Sequence, residues 1–397
     1  MDYPQYINEI IERLEAAGYS AYAVGGCVRD TMLGRVPNDF DVTTSALPEE
    51  TLRVFENERT IPTGLKHGTV TVILKDCAPV EVTTYRIDGR YTDSRHPESV
   101  SFTDRIEDDL ARRDFTVNAM AYNKKRGLVD PFDGQGDLRR GLLRAVGEAD
   151  KRMAEDALRI MRAFRFSAQL AFSIDKETKK ALISQRDGLK NVSGERIGVE
   201  LSKLVCAPNA KEALEGMVQC GVSELIFGEY APENQMLCTL EKLSPAPEVR
   251  LGCLLYGCDI EAARKILNAM KYSNALKNSV LNIIQTKEFY VSQNDADVRR
   301  FLLRFGKDAD FAAELMRVLR GAECLSEDNI RRIKKDGFCT SIQSLALGGN
   351  DLLKLGIAGK EIGQTLSYLL DAVTEDPSVN TAEKLTELIT KNRATNA

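Results

Sequence analysis

Val24-Gly25-Gly26-Cys27-Val28-Arg29-Asp30, followed after a short interval by Asp39-Phe40-Asp41, is the most informative stretch of this chain. The apolar run Ala21–Val24 predicts a short buried strand that ends at the Gly-Gly step. Two glycines before a helix let backbone N–H groups approach a triphosphate closely, and Arg29 adds a cation. On a strand, residues i and i+2 share a face, so Asp39 and Asp41 present two carboxylates side by side. Like charges this close repel unless a cation lies between them. Hard oxygen donors of this kind suit Mg²⁺, which completes its shell with water and substrate phosphates. An Asp-x-Asp pair alone is usually a solvated turn; the glycine-rich run at this spacing is what gives it weight.

Working outward, Ile7, Ile10, Ile11 and Leu14 fall on one face of a helix that Gly18 stops. Phe40–Thr43, Thr69–Leu74 and Val80–Thr84 are β-rich, and Ala119–Tyr122 and Gly127–Val129 predict edge strands. Residues 86–101, which include His96, are polar and aperiodic and predict a mobile loop. From about residue 138 the pattern is helical, for example over 153–170, 196–205, 210–220, 261–271, 296–305, 310–320 and 361–374. The only candidate linker is Ser244–Glu248. The fold class is therefore α+β: an N-terminal α/β head with a small mixed sheet, followed by a long helical remainder.

Composition narrows the function. The chain has 397 residues, 54 Lys+Arg against 59 Asp+Glu and a net charge of −5. It exceeds the roughly 250–300 residues at which a single core stops growing, so at least two domains are expected. Only two histidines occur, which excludes HExxH hydrolases and His-cluster zinc sites. No apolar run is long enough to span a membrane. The first residues lack a basic n-region and an apolar h-region, and the nine cysteines form no CxxC pair. A reducing cytoplasm is the expected compartment. Mild acidity excludes a uniformly basic nucleic-acid binder, yet residues 139–165 carry eight Lys/Arg against four Asp/Glu, a local basic stripe.

Two further segments carry chemistry. In Arg112-Arg113-Asp114-Phe115-Thr116-Val117-Asn118, the arginine doublet can clamp phosphates, and Asp114 and Asn118 can bond a ribose or fix an arginine. In Glu155-Asp156-Ala157-Leu158-Arg159-Ile160-Met161-Arg162-Ala163-Phe164-Arg165, Asp156 and Arg159 are i, i+3 neighbours on a helix. They form either an intrahelical salt bridge or a base-reading pair. In the second reading the carboxylate accepts from an exocyclic amine and the guanidinium donates to the adjacent ring position. Cytosine and adenine offer that edge; guanine and uracil meet it with matched signs.

The runs GGCVRD…DFD, RRDFTVNA, DPFDGQGDL, EDALRIMRAFR and GERIGVE, in this order over residues 21–200, resemble the class II tRNA nucleotidyltransferase and bacterial poly(A) polymerase family. The resemblance implies a catalytic head (1–138), a neck that selects the nucleotide (139–200), a body (201–275) and a tRNA-binding tail (276–397), the last three all-helical. It implies template-independent addition of CCA to the tRNA 3′ end from CTP and ATP, with two Mg²⁺ ions and release of pyrophosphate. Asp39 and Asp41 match the metal-binding carboxylates, and Gly26 and Arg29 the triphosphate-binding GGxVR. Arg113 matches a phosphate- or sugar-contacting arginine, Asp156 and Arg159 the base-reading pair, and Arg162 and Arg165 two further nucleotide-binding arginines. Glu81, between Val80 and Val82, has the pattern of a third carboxylate, which a surface-strand Glu explains equally well. Cys27 reads as packing. His67 reads as a turn residue, and Arg299, Arg300, Arg304, Arg331, Arg332, Lys334 and Lys335 as candidate acceptor-stem contacts or solvated faces. The same motifs serve A-only addition and poly(A) synthesis. A small-molecule adenylyltransferase would hardly need the helical remainder, and an inactive tRNA-binding protein would not need intact carboxylates.

Overall fold

The computed structural model describes residues 1–75, 77–89, 100–292 and 294–396. Its contacts gather into two compact units, 1–231 with 269–271, and 232–268 with 272–397.

The first unit is built on strands β1 (Ala21–Val24), β2 (Asp41–Thr44), β3 (Arg59–Gly64), β4 (Thr69–Ile73), β5 (Val80–Thr84), β6 (Arg86–Asp88), β7 (Val100–Phe102), β8 (Ala121–Asn123) and β9 (Gly127–Val129). Seven of them form one sheet in the order β3-β4-β5-β2-β1-β8-β9. β2 and β5 run parallel while the other pairs are antiparallel, so the sheet is mixed. Helix α1 (Gln5–Ala16) buries Ile7, Ile10, Ile11 and Leu14, as its spacing predicts. One face of the sheet packs Tyr22, Val24 and Ala121 against Tyr85, Ile106 and Leu110. The expected loop over 86–101 is bounded by paired strands, since β6 and β7 form a short antiparallel ribbon. The residues between, 90–99 with His96, lie outside the described residues.

Register places the chemistry. Val24, the last residue of β1, is opposite Asp41, the first of β2, and Asp41 is in turn beside Glu81 on β5. Helix α2 (Gly26–Met32) starts immediately after β1, so the Gly-Gly step lies next to the carboxylates. Helices α3 (Pro48–Val54), α4 (Ile106–Ala111) and α5 (Gly134–Arg140) complete the head. The DPFDGQGDL run proves to be scaffold. Asp130 receives the Gly134 and Gln135 N–H groups at 2.7 and 2.9 Å. Buried Asp137 holds Thr116, Arg140 and Arg144.

The helical part of this unit includes α6 (Ala149–Glu155), α7 (Leu158–Leu170), α8 (Lys176–Ser184) and α9 (Gly194–Val205). The continuous helix expected over 153–170 is broken. Asp156 stands between α6 and α7 in an extended conformation, φ −137° and ψ 101°. Asp156 and Arg159 are therefore not neighbours on one helix, although the Arg159 N–H still reaches the Asp156 carbonyl at 2.9 Å.

The second unit is helical. Its C-terminal core gathers Leu352, Ile357, Leu369, Val373 and Leu385. Ser244–Glu248 is not a linker. Pro247 opens a helix, Pro247–Leu254, and Ser244 is tied to Glu314, whose Oε2 accepts its hydroxyl at 2.8 Å. Proline at a first helical turn loses no hydrogen bond there, which is why this Pro-rich segment is ordered. The basic side chains of this unit are mostly engaged within it. Arg332 pairs with Asp295 at 2.6 Å, Lys334 with Asp310 at 2.8 Å and Arg331 with Asp328 at 3.6 Å. Arg300 pairs with Asp297 and Glu375. Arg299 donates to the Thr374 and Glu375 carbonyls, and Arg304 to the Asn282 and Gln285 side chains.

Candidate active site

One cleft of about 510 Å³ collects the carboxylate pair, Gly26 and the arginines that the sequence offers for metal and nucleotide binding, together with Asp156, while Glu81 stays outside its lining. Gly26, Arg29, Asp39 and Asp41 form one wall, Arg113 and Asp156 the next, and Arg159, Arg162 and Arg165 the third.

The strand expected from Phe40 begins one residue later, at Asp41, so Asp39 and Phe40 lie just before it. Phe40 meets the rings of Tyr3 and Tyr6 edge-on at 5.7 and 6.4 Å, while Asp39 and Asp41 both line the pocket. Neither acid has a cation within ion-pair distance among the described residues. Burial first, then repulsion from Asp39 and Glu81, pushes the Asp41 carboxyl up to about 6, while Arg113 pulls it down. Asp41 is nevertheless exposed at the pocket mouth, so the repulsion is the part that a bound cation would relieve. Two exposed hard-oxygen donors with no cation between them fit Mg²⁺. No group of three or more His, Cys, Asp or Glu poised to hold a metal occurs among the described residues; Mg²⁺ commonly fills the rest of its shell with water and phosphate oxygens.

Gly25, rather than Gly26, is the position that needs glycine. Its φ is +77°, and a Cβ there would stand 3.0 Å from Arg113 Nη1. Arg29 is fixed by Asp30 at 2.9 Å and by Asn118 Oδ1 at 2.6 Å. Asn118 in turn donates to Asp114 Oδ1 at 3.1 Å. Asp114 and Asn118 thus hold arginines, one of the two roles open to them from sequence. Arg112 and Arg113 both lean on buried Asp109, at 2.7 and 3.2 Å. Burial alone would raise the Asp109 carboxyl, but the two guanidiniums outweigh it and hold it below the usual range.

Helix α7 carries the arginine wall and is buried along most of its surface. Arg162 donates from Nε to Asp114 Oδ2 at 2.8 Å. Arg165 Nε stands 2.5 Å from Glu200 Oε2 as an ion pair without hydrogen-bond alignment. Arg29, Arg162 and Arg165 surround the Phe166 ring at 5.2, 5.2 and 3.8 Å from its centroid. Arg159 is held by Glu155 at 2.6 Å and by the Arg152 and Arg112 carbonyls at 2.8 and 2.9 Å. Asp156 pairs not with Arg159 but with Arg196 of α9, at 2.9 Å. Every arginine lining the pocket is ion-paired; exposed Lys203 is not, among the described residues.

Sequence reasoning passed over Gly25, Phe166, Arg196, Glu200 and Lys203 as site residues. Arg196 and Glu200 lie in the quoted GERIGVE run, and their i, i+4 spacing on α9 was the available signal. Cys27 is buried, burial pushes its thiol up to about 11, and it donates to the Val24 carbonyl, as a packing residue does. His67 offers its carbonyl to Arg86 at 2.5 Å.

Asp114 makes a pH prediction. Burial would raise its carboxyl, but Arg162 and the Asn118 amide bring it down from 3.8 to about 2. A carboxylate depressed in the folded state stabilises above the pH where the unfolded group titrates, and that contribution fades as pH falls through the folded value. About 2 kcal/mol should therefore disappear between pH 4 and pH 2. Denaturant unfolding across that window should show the loss in the native sequence and a shallower decline in Asp114→Asn.

Three family models match successive parts of the chain: the Poly A polymerase head domain over residues 21–144, a region described as a probable RNA and SrmB-binding site of polymerase A over 171–234, and domain 2 of tRNA nucleotidyltransferases over 251–389. The CCA-adding enzyme of Lactobacillus delbrueckii subsp. bulgaricus is 35% identical over 386 residues, 96% of each chain. The chain belongs to the CCA-adding enzyme family. The CCA-adding enzyme of Geobacillus stearothermophilus is 36% identical over 369 residues, covering 92% of this chain and 90% of its own. The crystal structure of the Bacillus stearothermophilus CCA-adding enzyme in complex with CTP superposes with a TM-score of 0.88 at 32% identity, covering 100% of this chain and 99% of that one. As a CCA-adding enzyme, this chain is a tRNA nucleotidyltransferase with a small mixed sheet in a head followed by helices. Enzymes of this family generally use Mg²⁺. No helix among the described residues is long and apolar enough to cross a membrane.

Proposed function

We propose that the 510 Å³ pocket adds C, C and A in turn to the 3′ end of tRNA without a template, drawing on CTP and ATP. The observation that carries this reading is that one pocket is lined by a carboxylate pair with no ion-paired cation among the described residues and by Asp156 and Arg159, in a chain that matches CCA-adding enzymes along its length. The CTP in the similar Bacillus enzyme supports it.

In this reading Asp39 and Asp41 hold Mg²⁺, two ions as in other phosphoryl-transfer sites. When bound, the metal offsets triphosphate charge and makes the tRNA 3′-hydroxyl easier to deprotonate. Arg29 and Arg113, with the backbone at Gly25-Gly26, receive the phosphates, and Arg162 and Arg165 frame the nucleotide against Phe166. The 3′-oxygen bonds to the α-phosphorus, the bond to the β-phosphate bridging oxygen breaks, pyrophosphate leaves and the hydroxyl proton passes to solvent. Positioning and charge neutralisation supply most of the rate. Asp156 and Arg159 select the base. Residues 1–138 act as head, 139–200 as neck and 201–275 as body, while the tail, 276–397, holds the tRNA. None of the described cysteines is in a disulfide, in keeping with a cytoplasmic site of action.

Incubation with tRNA lacking its 3′ end, with each labelled nucleotide singly and together, tests the whole reading. Two C and then one A should be incorporated. Incorporation of A alone onto tRNA ending in CC would make the protein an A-adding enzyme instead.

A further inference from the structure

We propose that Arg196 is a positioning residue for base selection: it fixes the Asp156 carboxylate from α9, so that discrimination between bases rests on an Asp156–Arg196 pair as well as on Arg159. This deepens the base-selecting role given to Asp156 above and rests on it.

The break between α6 and α7 creates the need. A side chain inside a helix inherits its direction from the helix; Asp156, extended between two helices, does not. Its orientation comes from two contacts. Oδ1 accepts the Leu158 N–H at 3.1 Å and Oδ2 accepts Arg196 Nη2 at 2.9 Å. Arg196 is the only cation ion-paired with Asp156 among the described residues, because Arg159 is turned to Glu155. The pair is partly buried, with side chains 25% and 18% exposed, and is less screened than a surface pair.

Arg196 is itself a pocket residue, and its Nη1 is buried without a hydrogen-bond partner. Buried donors are nearly always satisfied, so an idle one in a substrate pocket marks a group awaiting a ligand or water. The helix that carries it is firmly seated. A Cβ on Gly194 would lie 1.7 Å from the Ala269 carbonyl oxygen, so only glycine lets α9 start there. One turn beyond Arg196, Glu200 fixes Arg165. Thus α9 reaches into the pocket with an Arg that aims a carboxylate and a Glu that holds a guanidinium. A carboxylate held at both oxygens still has lone pairs for an amino group, and its fixed direction favours one base edge over others.

The test compares kcat/KM for CTP, UTP, ATP and GTP on tRNA lacking its 3′ end, in Arg196→Gln, Asp156→Ala and the double variant. Arg196→Gln should lower the CTP-to-UTP and ATP-to-GTP preferences by about tenfold. In the Asp156→Ala background the same change should lower them no further, whereas a merely structural arginine would show independent, additive effects. If Asp156→Ala reduces preference and Arg196→Gln does not, the inference is overturned while the role of Asp156 stands. If Asp156→Ala leaves preference intact, both fall. Circular dichroism reports whether each variant folds. Should Arg196→Gln fail to fold, Arg196→Lys carries the test: with one compact ammonium in place of a planar fork it should still lose severalfold in preference, and an unchanged ratio would overturn the proposal.

Discussion

Asp41→Ala should lower kcat for CMP addition to tRNA by at least about a thousandfold, and Asp39→Ala should do the same, with neither variant losing thermal stability. The two halves of this expectation come from one arrangement. Asp39 and Asp41 lie on the same side of a strand entry, with Glu81 registered beside Asp41 and no cation within ion-pair distance of the pair among the described residues. In the absence of metal, removing one of these acids relieves repulsion and vacates no core volume. Among the described residues, the same acids are the only carboxylates lining the pocket that an arginine does not already occupy. Asp114 is taken by Arg162 and Asp156 by Arg196. Among these residues a divalent ion therefore has no substitute anchor. Pre-steady-state incorporation over a Mg²⁺ series, beside a melting curve in chelator, measures both halves. A variant that turned over at near-native rate would remove Asp39 and Asp41 from the chemistry. One that melted much earlier would make them structural. Glu81→Gln provides the graded comparison: it stands next to Asp41 but does not line the pocket, so its effect should be far smaller.

What could be read from the sequence was whatever local periodicity and short spacing encode. The burial of Ile7, Ile10, Ile11 and Leu14, the strand at Ala21–Val24 and the shared side of Asp39 and Asp41 all depend on residues within a few positions of each other. The misreadings have a common cause in contacts made across the fold. Nothing in Glu155-Asp156-Ala157 breaks a helix as proline or glycine would. The break is sustained by Arg196, forty positions on, and by Arg159 reaching back to the Arg152 carbonyl. Aspartate's preference for helix starts over interiors was the one local hint. Ser244–Glu248 has a linker's composition, yet Glu314 fastens its first residue and Pro247 begins a helix. Strands of three residues such as β6 and β7 are too short to show alternation at all. Among the site residues that escaped notice, Arg196 and Glu200 hold other groups that face the pocket, Asp156 and Arg165, and such support is visible only once the chain is folded.

Changing Asp156 and Arg159 together to alanine should bring the CTP-to-UTP and ATP-to-GTP preferences close to unity, a loss of at least about a hundredfold in discrimination, with a smaller loss in the rate for whichever nucleotide binds. Their separation in the structure strengthens this expectation. Were the two paired with each other, each would neutralise the other's hydrogen-bonding edge, and a base would have to break a salt bridge to be read. Instead Arg159 is gripped from behind by Glu155 and two carbonyls, and Asp156 by Arg196 and the Leu158 N–H. Acceptor and donor are each held in place and each retain bonding capacity, an arrangement that needs little reorganisation when a base arrives. A wrong base then leaves a held, partly buried group unpaired, and rejection on that ground can reach the high ratios that methyl-sized steric differences cannot. The same logic orders the single changes. Arg159→Ala also frees Glu155 and exposes the Arg112 and Arg152 carbonyls, so it should cost more stability than Asp156→Ala, which leaves a single guanidinium to be hydrated. Competition assays with paired nucleotides give the preference directly, and urea unfolding gives the stability order. Retained preference for CTP and ATP in the double variant would place base selection elsewhere in the pocket.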